Sequence, residues 1–277
     1  MKAAVSAVLA APPILAGSIF LTYAHRFVHA EYRLVDEAMI IIPVDNQAYA
    51  DAAVKLYLEP SGFHAAADGS NISTLNMPEV VPGGGLDHAV DYGVNELVTN
   101  VESDYAAGDF GNDNPLYVFG YSQSSVVAGM AEQQLAADHI PTDDLHFVMV
   151  GDSASAEGGF LNAFVNDLPE SWRPYVLDVF KHFGANEVLG QTTPNNLYPT
   201  DVYSLSGDGW ANYDHGLNDF GLFTDHLEYL GLTPAEIATA GAPVVDGITN
   251  YFTIHDAMVN SLEALWTQLQ IADSVLF

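Results

Sequence analysis

Gly120-Tyr121-Ser122-Gln123-Ser124 joins an apolar run, Leu116 to Phe119, to a segment in which Val126, Val127, Met130, Ala131 and Leu135 recur at helical spacing. A serine at such a junction is placed to act as a nucleophile. Its free hydroxyl attacks poorly, so a neighbouring base has to take the proton, and the oxyanion formed on an attacked acyl carbon needs fixed donors. The turn supplies part of both requirements. It lifts the Ser122 hydroxyl clear of the strand, and the N–H of Gln123, at a helix start, points to where the oxyanion forms. The common pattern of such a turn is G-x-S-x-G; here Ser124 stands in the place of the second glycine.

A carboxylate and an imidazole must complete the relay. In parallel-sheet enzymes built this way they follow the serine in the order acid, then histidine, each on a loop after a later strand. Asp208, in Ser206-Gly207-Asp208-Gly209-Trp210 just beyond a strand at Val202 to Leu205, is the expected acid. Asp152, directly after the strand Leu145 to Val150, is its strongest rival; Asp214 and Asp219 are weaker, and Asp201 is at the wrong strand end. Among the later histidines, His226 in Thr224-Asp225-His226-Leu227 is the expected base, His215 beside Asp214 reads as a substrate contact, and His255 heads a final packing helix. His64 and His88 precede the serine and do not fit the order.

These residues need a scaffold that brings loop ends together. Ala38 to Val44 is a continuous apolar run, the mark of a strand covered on both faces. A helix over Ala48 to Leu58 ends at Pro60-Ser61-Gly62, Asn71 to Gly85 reads as an irregular connection, and a second helix spans Val90 to Tyr105. With the later strands the order alternates β and α, which predicts a mostly parallel sheet flanked by helices. Between Gly158 and Thr200 the alternation lapses into a stretch rich in Phe, Trp, Tyr, Leu and Val. Two readings stand: helices packed on the sheet, or an apolar cap over the Ser122 pocket.

Composition narrows the chemistry. The 277 residues are 49% hydrophobic, enough for one α/β domain with a large core, and 36 acidic residues against 6 basic ones give a formal net charge of −30. Nucleic acid is thereby excluded as an expected partner, and anionic lipid would repel the chain. With no cysteine, disulfides, thiolate metal sites and cysteine nucleophiles are excluded. There is no H-E-x-x-H motif and no dense His and Asp cluster, so neither a metal nor another cofactor is expected. Lys2 precedes an uncharged, mostly apolar run from Ala3 to Ala24, and Val28 and Ala30 are small enough for a cleavage site. Residues 1–30 therefore read as a signal peptide or a membrane anchor, and 31–277 as a single domain with its cap-like insertion around 158–200.

Gly-Tyr-Ser-Gln-Ser, Asp208-Gly-Trp-Ala-Asn and His226-x-x-Tyr229 occur in an order that resembles the PE-PPE domain serine hydrolases and acyltransferases of mycobacteria and their relatives, themselves distantly similar to cutinases. The resemblance covers roughly Ala38 to Gly231. It implies an α/β-hydrolase fold with Ser122 as nucleophile, Asp208 as orienting acid and His226 as general base, with Tyr121, Trp210 and Tyr229 as substrate-binding or supporting residues. Where the family often has a glycine-rich turn after its first strand, this chain has Pro43-Val44-Asp45; the Val44 N–H is the expected second oxyanion donor beside Gln123. The resemblance further implies an exported envelope enzyme that acts on an acyl lipid or glycolipid and moves fatty acyl groups between trehalose-based glycolipids. Ester hydrolysis alone, or a lipid-binding envelope protein that keeps the fold without catalysis, are the alternatives.

Overall fold

The computed structural model describes residues 36–43, 45–79, 84–182, 184–213 and 224–255. The expected export segment, Val44, Phe183, Asp214, His215, Asp219 and the expected final helix beyond His255 lie outside them.

Seven strands form one sheet in the order β2-β1-β3-β4-β5-β7-β6. They are β1 (Glu37–Ile42), β2 (Ile72–Asn76), β3 (Leu116–Tyr121), β4 (Leu145–Val150), β5 (Thr200–Leu205), β6 (Val244–Asp246) and β7 (Thr249–Ile254). All neighbours pair parallel except β6 with β7. Parallel neighbours need crossover connections, and helices supply most of them. These are α1 (Gln47–Ala53, continued by a π turn over Val54–Leu58), α2 (Leu86–Ala107), α3 (Gln123–Ala137), α4 (Phe160–Asp167) and α5 (Arg173–His182), with a short α6 (Pro234–Ile237) before the β6–β7 hairpin. This is the mostly parallel, helix-flanked sheet that the alternation predicts, of the α/β-hydrolase type that the resemblance implies.

Side chains alternate across the strands and divide the core in two. Met39, Ile41, Val118, Phe147, Met149 and Val202 face one way, towards apolar residues of α2 and α3 such as Leu97 and Leu135. Ile40, Ile42, Phe119, Tyr121, Val148, Val150 and Tyr203 face the other, onto Tyr49, Ala53, Tyr57 and Leu58. All six residues of β3 are buried, so the strand that carries the serine turn is held on both faces.

Two elements depart from the sequence reading. The stretch read as irregular contains β2, a parallel edge strand against β1, in which only Ile72 and Leu75 are half-buried and the rest exposed, so it shows no apolar run. The β6–β7 hairpin also went unforeseen, because β6 is only three residues long and exposed throughout. Within 158–200 the chain forms α4 and α5. Phe160, Phe164, Leu177 and Phe180 pack against the core that faces α2 and α3, and Leu161 and Val188 reach the cleft described next.

Candidate active site

The serine turn is forced by contacts that are local in sequence. A side chain at Gly120 would put Cβ 2.6 Å from the Ser124 carbonyl oxygen, so only glycine lets the chain fold back this tightly. Ser122 has φ +59 and ψ −122, a conformation that L-residues avoid and that costs about 1–3 kcal/mol. The surroundings hold it there. Ser122 N–H donates to the Val150 carbonyl at 2.9 Å, and the buried Ser125 hydroxyl lies 2.9 Å from the carbonyls of both Gly120 and Val150, tying the turn to β4. Sequence reasoning passed over Ser125, although a serine on the first turn of a helix is a common back-bonding residue.

At the carboxyl end of the sheet three side chains meet. Ser122 Oγ lies 2.7 Å from His226 Nε2, and His226 Nδ1 lies 2.8 Å from Asp208 Oδ2. Because a carboxylate only accepts, the Nδ1 side carries the proton and Nε2 presents its lone pair to the serine hydroxyl. Asp208 is completely buried and His226 nearly so. The carboxylate is satisfied on both oxygens: Trp210 N–H donates to Oδ1 at 2.8 Å and the Tyr229 hydroxyl donates to Oδ2 at 2.7 Å.

A second layer fixes this relay from below. Leu205 N–H donates to the Tyr229 hydroxyl at 2.8 Å, the Tyr57 hydroxyl donates to the Tyr229 carbonyl at 2.7 Å, and the Tyr121 hydroxyl donates to the His226 carbonyl. Burial pushes the Tyr57, Tyr121 and Tyr229 phenols well above the usual range, with the negative charge of Asp208 adding to this for the last two, so all three stay protonated donors. Tyr121 and Tyr229 do not line the cleft, which corrects the expectation of substrate contacts; they lie behind the imidazole with their hydroxyls committed to the protein, Tyr229 in the supporting position that was its other reading.

The cleft itself measures about 280 Å³. Leu86 and Val90 of α2, Val126 of α3, Leu161 of α4, and Val188 give it apolar walls, and Ser122, Gln123, Ser153, Trp210 and His226 complete it. Trp210 thus stands where a substrate contact was expected. Gln123 is the first residue of α3, and its N–H is one of those a helix start leaves without an intrahelical acceptor. Val44, the other expected donor, is outside the described residues. Ser153 was not singled out from sequence; its position in the loop that follows β4, at the carboxyl end of a parallel strand, is the signal that would have found it.

The rival acid is occupied elsewhere. Asp152 Oδ1 accepts from Ala154 N–H at 2.9 Å and Oδ2 from the Thr193 hydroxyl at 2.6 Å. Burial pushes its carboxyl up to about 6, with those two bonds acting against the rise. Asp201, at the far end of β5, meets His146 and Asn250 instead. His64 pairs with Asp36, and His255 N–H donates to the Thr239 hydroxyl. Among the described residues no group of three or more His, Cys, Asp or Glu could hold a metal ion.

The model of the PE-PPE domain family matches residues 71–216, more than half of the chain. The uncharacterized PPE family protein PPE28 of Mycobacterium tuberculosis is 27% identical over 80% of this chain and 33% of its own length. Esterase PE16 of the same species is 29% identical over 57% of this chain and 29% of its own length. The chain therefore spans about a third of these curated relatives. Among solved structures, a cutinase-like protein from Cryptococcus sp. aligns with a TM-score of 0.41 and 17% identity, over 71% of this chain and 88% of that one.

Proposed function

The chain belongs to the PE-PPE domain family, and on that premise we propose that it is a serine acyl-enzyme catalyst acting on carboxylic esters of acyl lipids. One observation carries the reading: Ser122, His226 and Asp208 form an unbroken hydrogen-bonded relay that opens onto an apolar cleft.

In this mechanism Ser122 Oγ attacks the ester carbonyl carbon while its proton passes to His226 Nε2. The carbonyl electron pair moves to oxygen, which Gln123 N–H and a second donor stabilise. Collapse of the tetrahedral intermediate breaks the bond to the alcohol, which leaves with the proton from His226, and the acyl group stays on Ser122. Asp208 keeps the imidazole in its working tautomer and balances the transient imidazolium; it does not itself take the proton. An incoming hydroxyl then repeats the cycle in reverse and frees the serine. If it is water, the outcome is hydrolysis; if it is a sugar hydroxyl, the outcome is acyl transfer.

The finer reading is transfer of fatty acyl groups between trehalose-based glycolipids by an exported, envelope-associated protein. What supports it is the motif resemblance, the apolar lining of the cleft and the export-like residues 1–30. No helix among the described residues is long and apolar enough to cross a membrane. No nucleic acid partner and no cofactor enter this reading.

The test uses the purified full chain. A fluorophosphonate probe should label Ser122 and lose its target in Ser122→Ala, and p-nitrophenyl ester turnover should vanish with it; labelling that survives the substitution sinks the proposal. Incubation with an acylated trehalose, with and without excess free trehalose, followed by mass spectrometry, separates transfer from hydrolysis. Binding of the glycolipid with neither product would leave a lipid-binding protein.

A further inference from the structure

Helix α5 carries apolar residues on two faces and covers only one of them, in part. Leu177 and Phe180 point inward, where Phe180 meets Phe164 at a ring distance of 6.0 Å. Trp172, immediately before the helix, and Tyr175 and Val179 within it are spaced three and four apart and form a stripe on the outside. They are 63%, 74% and 56% exposed, among the most exposed large apolar side chains described. A stripe of this kind in contact with water is costly and calls for a covering.

The stripe is coupled to the cleft through rings. Trp210, which lines the cleft beside His226, packs on Phe160 at 5.0 Å; Phe160 stacks on Phe164 at 5.1 Å, and Phe164 meets Phe180 on the inner face of α5. The outer stripe therefore sits one helix thickness from an aromatic row that ends at the site.

Charge selects what covers the stripe. The chain as a whole has a formal net charge of −30, yet two of its six basic residues, Arg173 and Lys181, lie on α5, against Asp178 within the helix and Asp167 and Glu170 just before it. A nearly neutral, aromatic surface in a strongly acidic protein suits a zwitterionic lipid surface and does not suit an anionic one. The residue types agree, since Trp and Tyr combine an apolar body with a polar tip and settle at the headgroup level. At ten residues α5 is about 15 Å long, too short to cross a bilayer and long enough to lie in its plane.

We propose that the outer face of α5, through Trp172, Tyr175 and Val179, docks the protein on a zwitterionic lipid surface. The docking claim stands without turnover; it rests on the acyl-ester reading only for what it would serve, delivery of acyl chains to the cleft.

The test is flotation of the full chain, carrying Ser122→Ala so that nothing turns over, with phosphatidylcholine vesicles. The expected result is co-flotation that falls about ten-fold or more when Trp172, Tyr175 and Val179 are all changed to Ser. With brominated phosphatidylcholine, Trp emission should be quenched, and Trp172→Phe should keep flotation while removing the quenched component. The triple Ser variant with Ser122 intact should keep wild-type turnover of p-nitrophenyl acetate, which shows that it is folded. Replacing part of the phosphatidylcholine with phosphatidylglycerol should weaken flotation. Flotation unchanged in the triple variant, as expected if the apolar residues 3–24 make the contact, overturns the proposal. So does quenching that Trp172→Phe leaves in place, or a wild-type dimer that the triple variant dissociates with no change in flotation. Failed fluorophosphonate labelling of Ser122 would remove the hydrolase reading and leave docking untouched.

Discussion

The Tyr229 hydroxyl donates to Asp208 Oδ2, the oxygen that also faces His226 Nδ1, with the two contacts at 2.7 and 2.8 Å. The same hydroxyl accepts from the buried Leu205 N–H at 2.8 Å. Tyr229 thus holds the Asp208 carboxylate and is not among the residues that line the cleft. Tyr229→Phe should leave that amide without a partner and strip one donor from the carboxylate, lowering stability by about 1–3 kcal/mol. Ester turnover should fall by about ten-fold through kcat, with KM little changed, because the loss is in the orientation of the relay and not in binding. Steady-state kinetics beside a urea melt check both; a drop in stability alone would make Tyr229 purely structural.

Ser122 stores backbone strain, and substitutions there should show it. Alanine and glycine at 122 both remove the hydroxyl proposed as nucleophile, but only glycine relieves φ +59. Glycine ordinarily destabilises relative to alanine by loosening the unfolded chain. Here the sign should reverse, with Ser122→Gly more stable than Ser122→Ala by about 1 kcal/mol. Chemical denaturation of the two inactive variants gives the comparison, and alanine as the more stable one would mean that the strain is not real.

Asp87 ties the start of α2 to the 184–188 segment beside the cleft. Its carboxylate accepts from three consecutive amides, Asn186 at 2.7, Glu187 at 2.9 and Val188 at 3.0 Å, while its own N–H donates to the Gly184 carbonyl at 2.7 Å. Leu86, next to Asp87 in the chain, and Val188, whose N–H Asp87 holds, both line the cleft. Asp87→Ala should cost about 1–2 kcal/mol of stability, since the group is only half-buried. Its sharper signature is selectivity: kcat/KM should fall several-fold more for long-chain than for acetyl p-nitrophenyl esters. An equal loss for both chain lengths would take Val188 out of substrate contact.

What could be read from sequence follows how local each determinant is. Leu116 to Ser125 is legible because strand, turn and helix are written in consecutive residues. Asp208 and His226 come within reach through chain order alone, since the carboxyl ends of β3 and β5 lie at one edge of a parallel sheet. Whether Tyr121 and Tyr229 touch substrate or support the relay is not legible, because proximity in sequence says nothing about which side of the imidazole a ring occupies. That is decided by the strand alternation, which turns Tyr121 into the core beside Tyr49 and Tyr57. Strand β2 escaped notice because a polar edge strand is recognised by its partner β1 and not by its own composition.

Stability should rise as the solution is acidified from about pH 7 towards 4. Asp152 is pushed up to about 6 from an ordinary 3.8 by burial, Glu132 well above its ordinary 4.5 by burial, and Glu228 to about 7 by burial with Asp225 and Glu236 nearby. In each case the folded protein holds a proton that the unfolded chain releases. The contribution is therefore fully present below the unfolded value and is lost as pH rises through the folded one. Asp201 acts oppositely: although burial raises it, its bonds from His146 and Asn250 hold it below 3.8, so its effect falls beneath this window. For Asp152 the shift corresponds to about 3 kcal/mol. Asp152→Asn removes the charge yet keeps both contacts, its oxygen accepting from Ala154 N–H and its amide donating to the Thr193 hydroxyl oxygen, which can turn to receive it. The variant should melt higher than the wild type at pH 7, equal it near pH 4, and show a flatter profile between. Parallel pH profiles for the two proteins would mean that Asp152 does not titrate in this range.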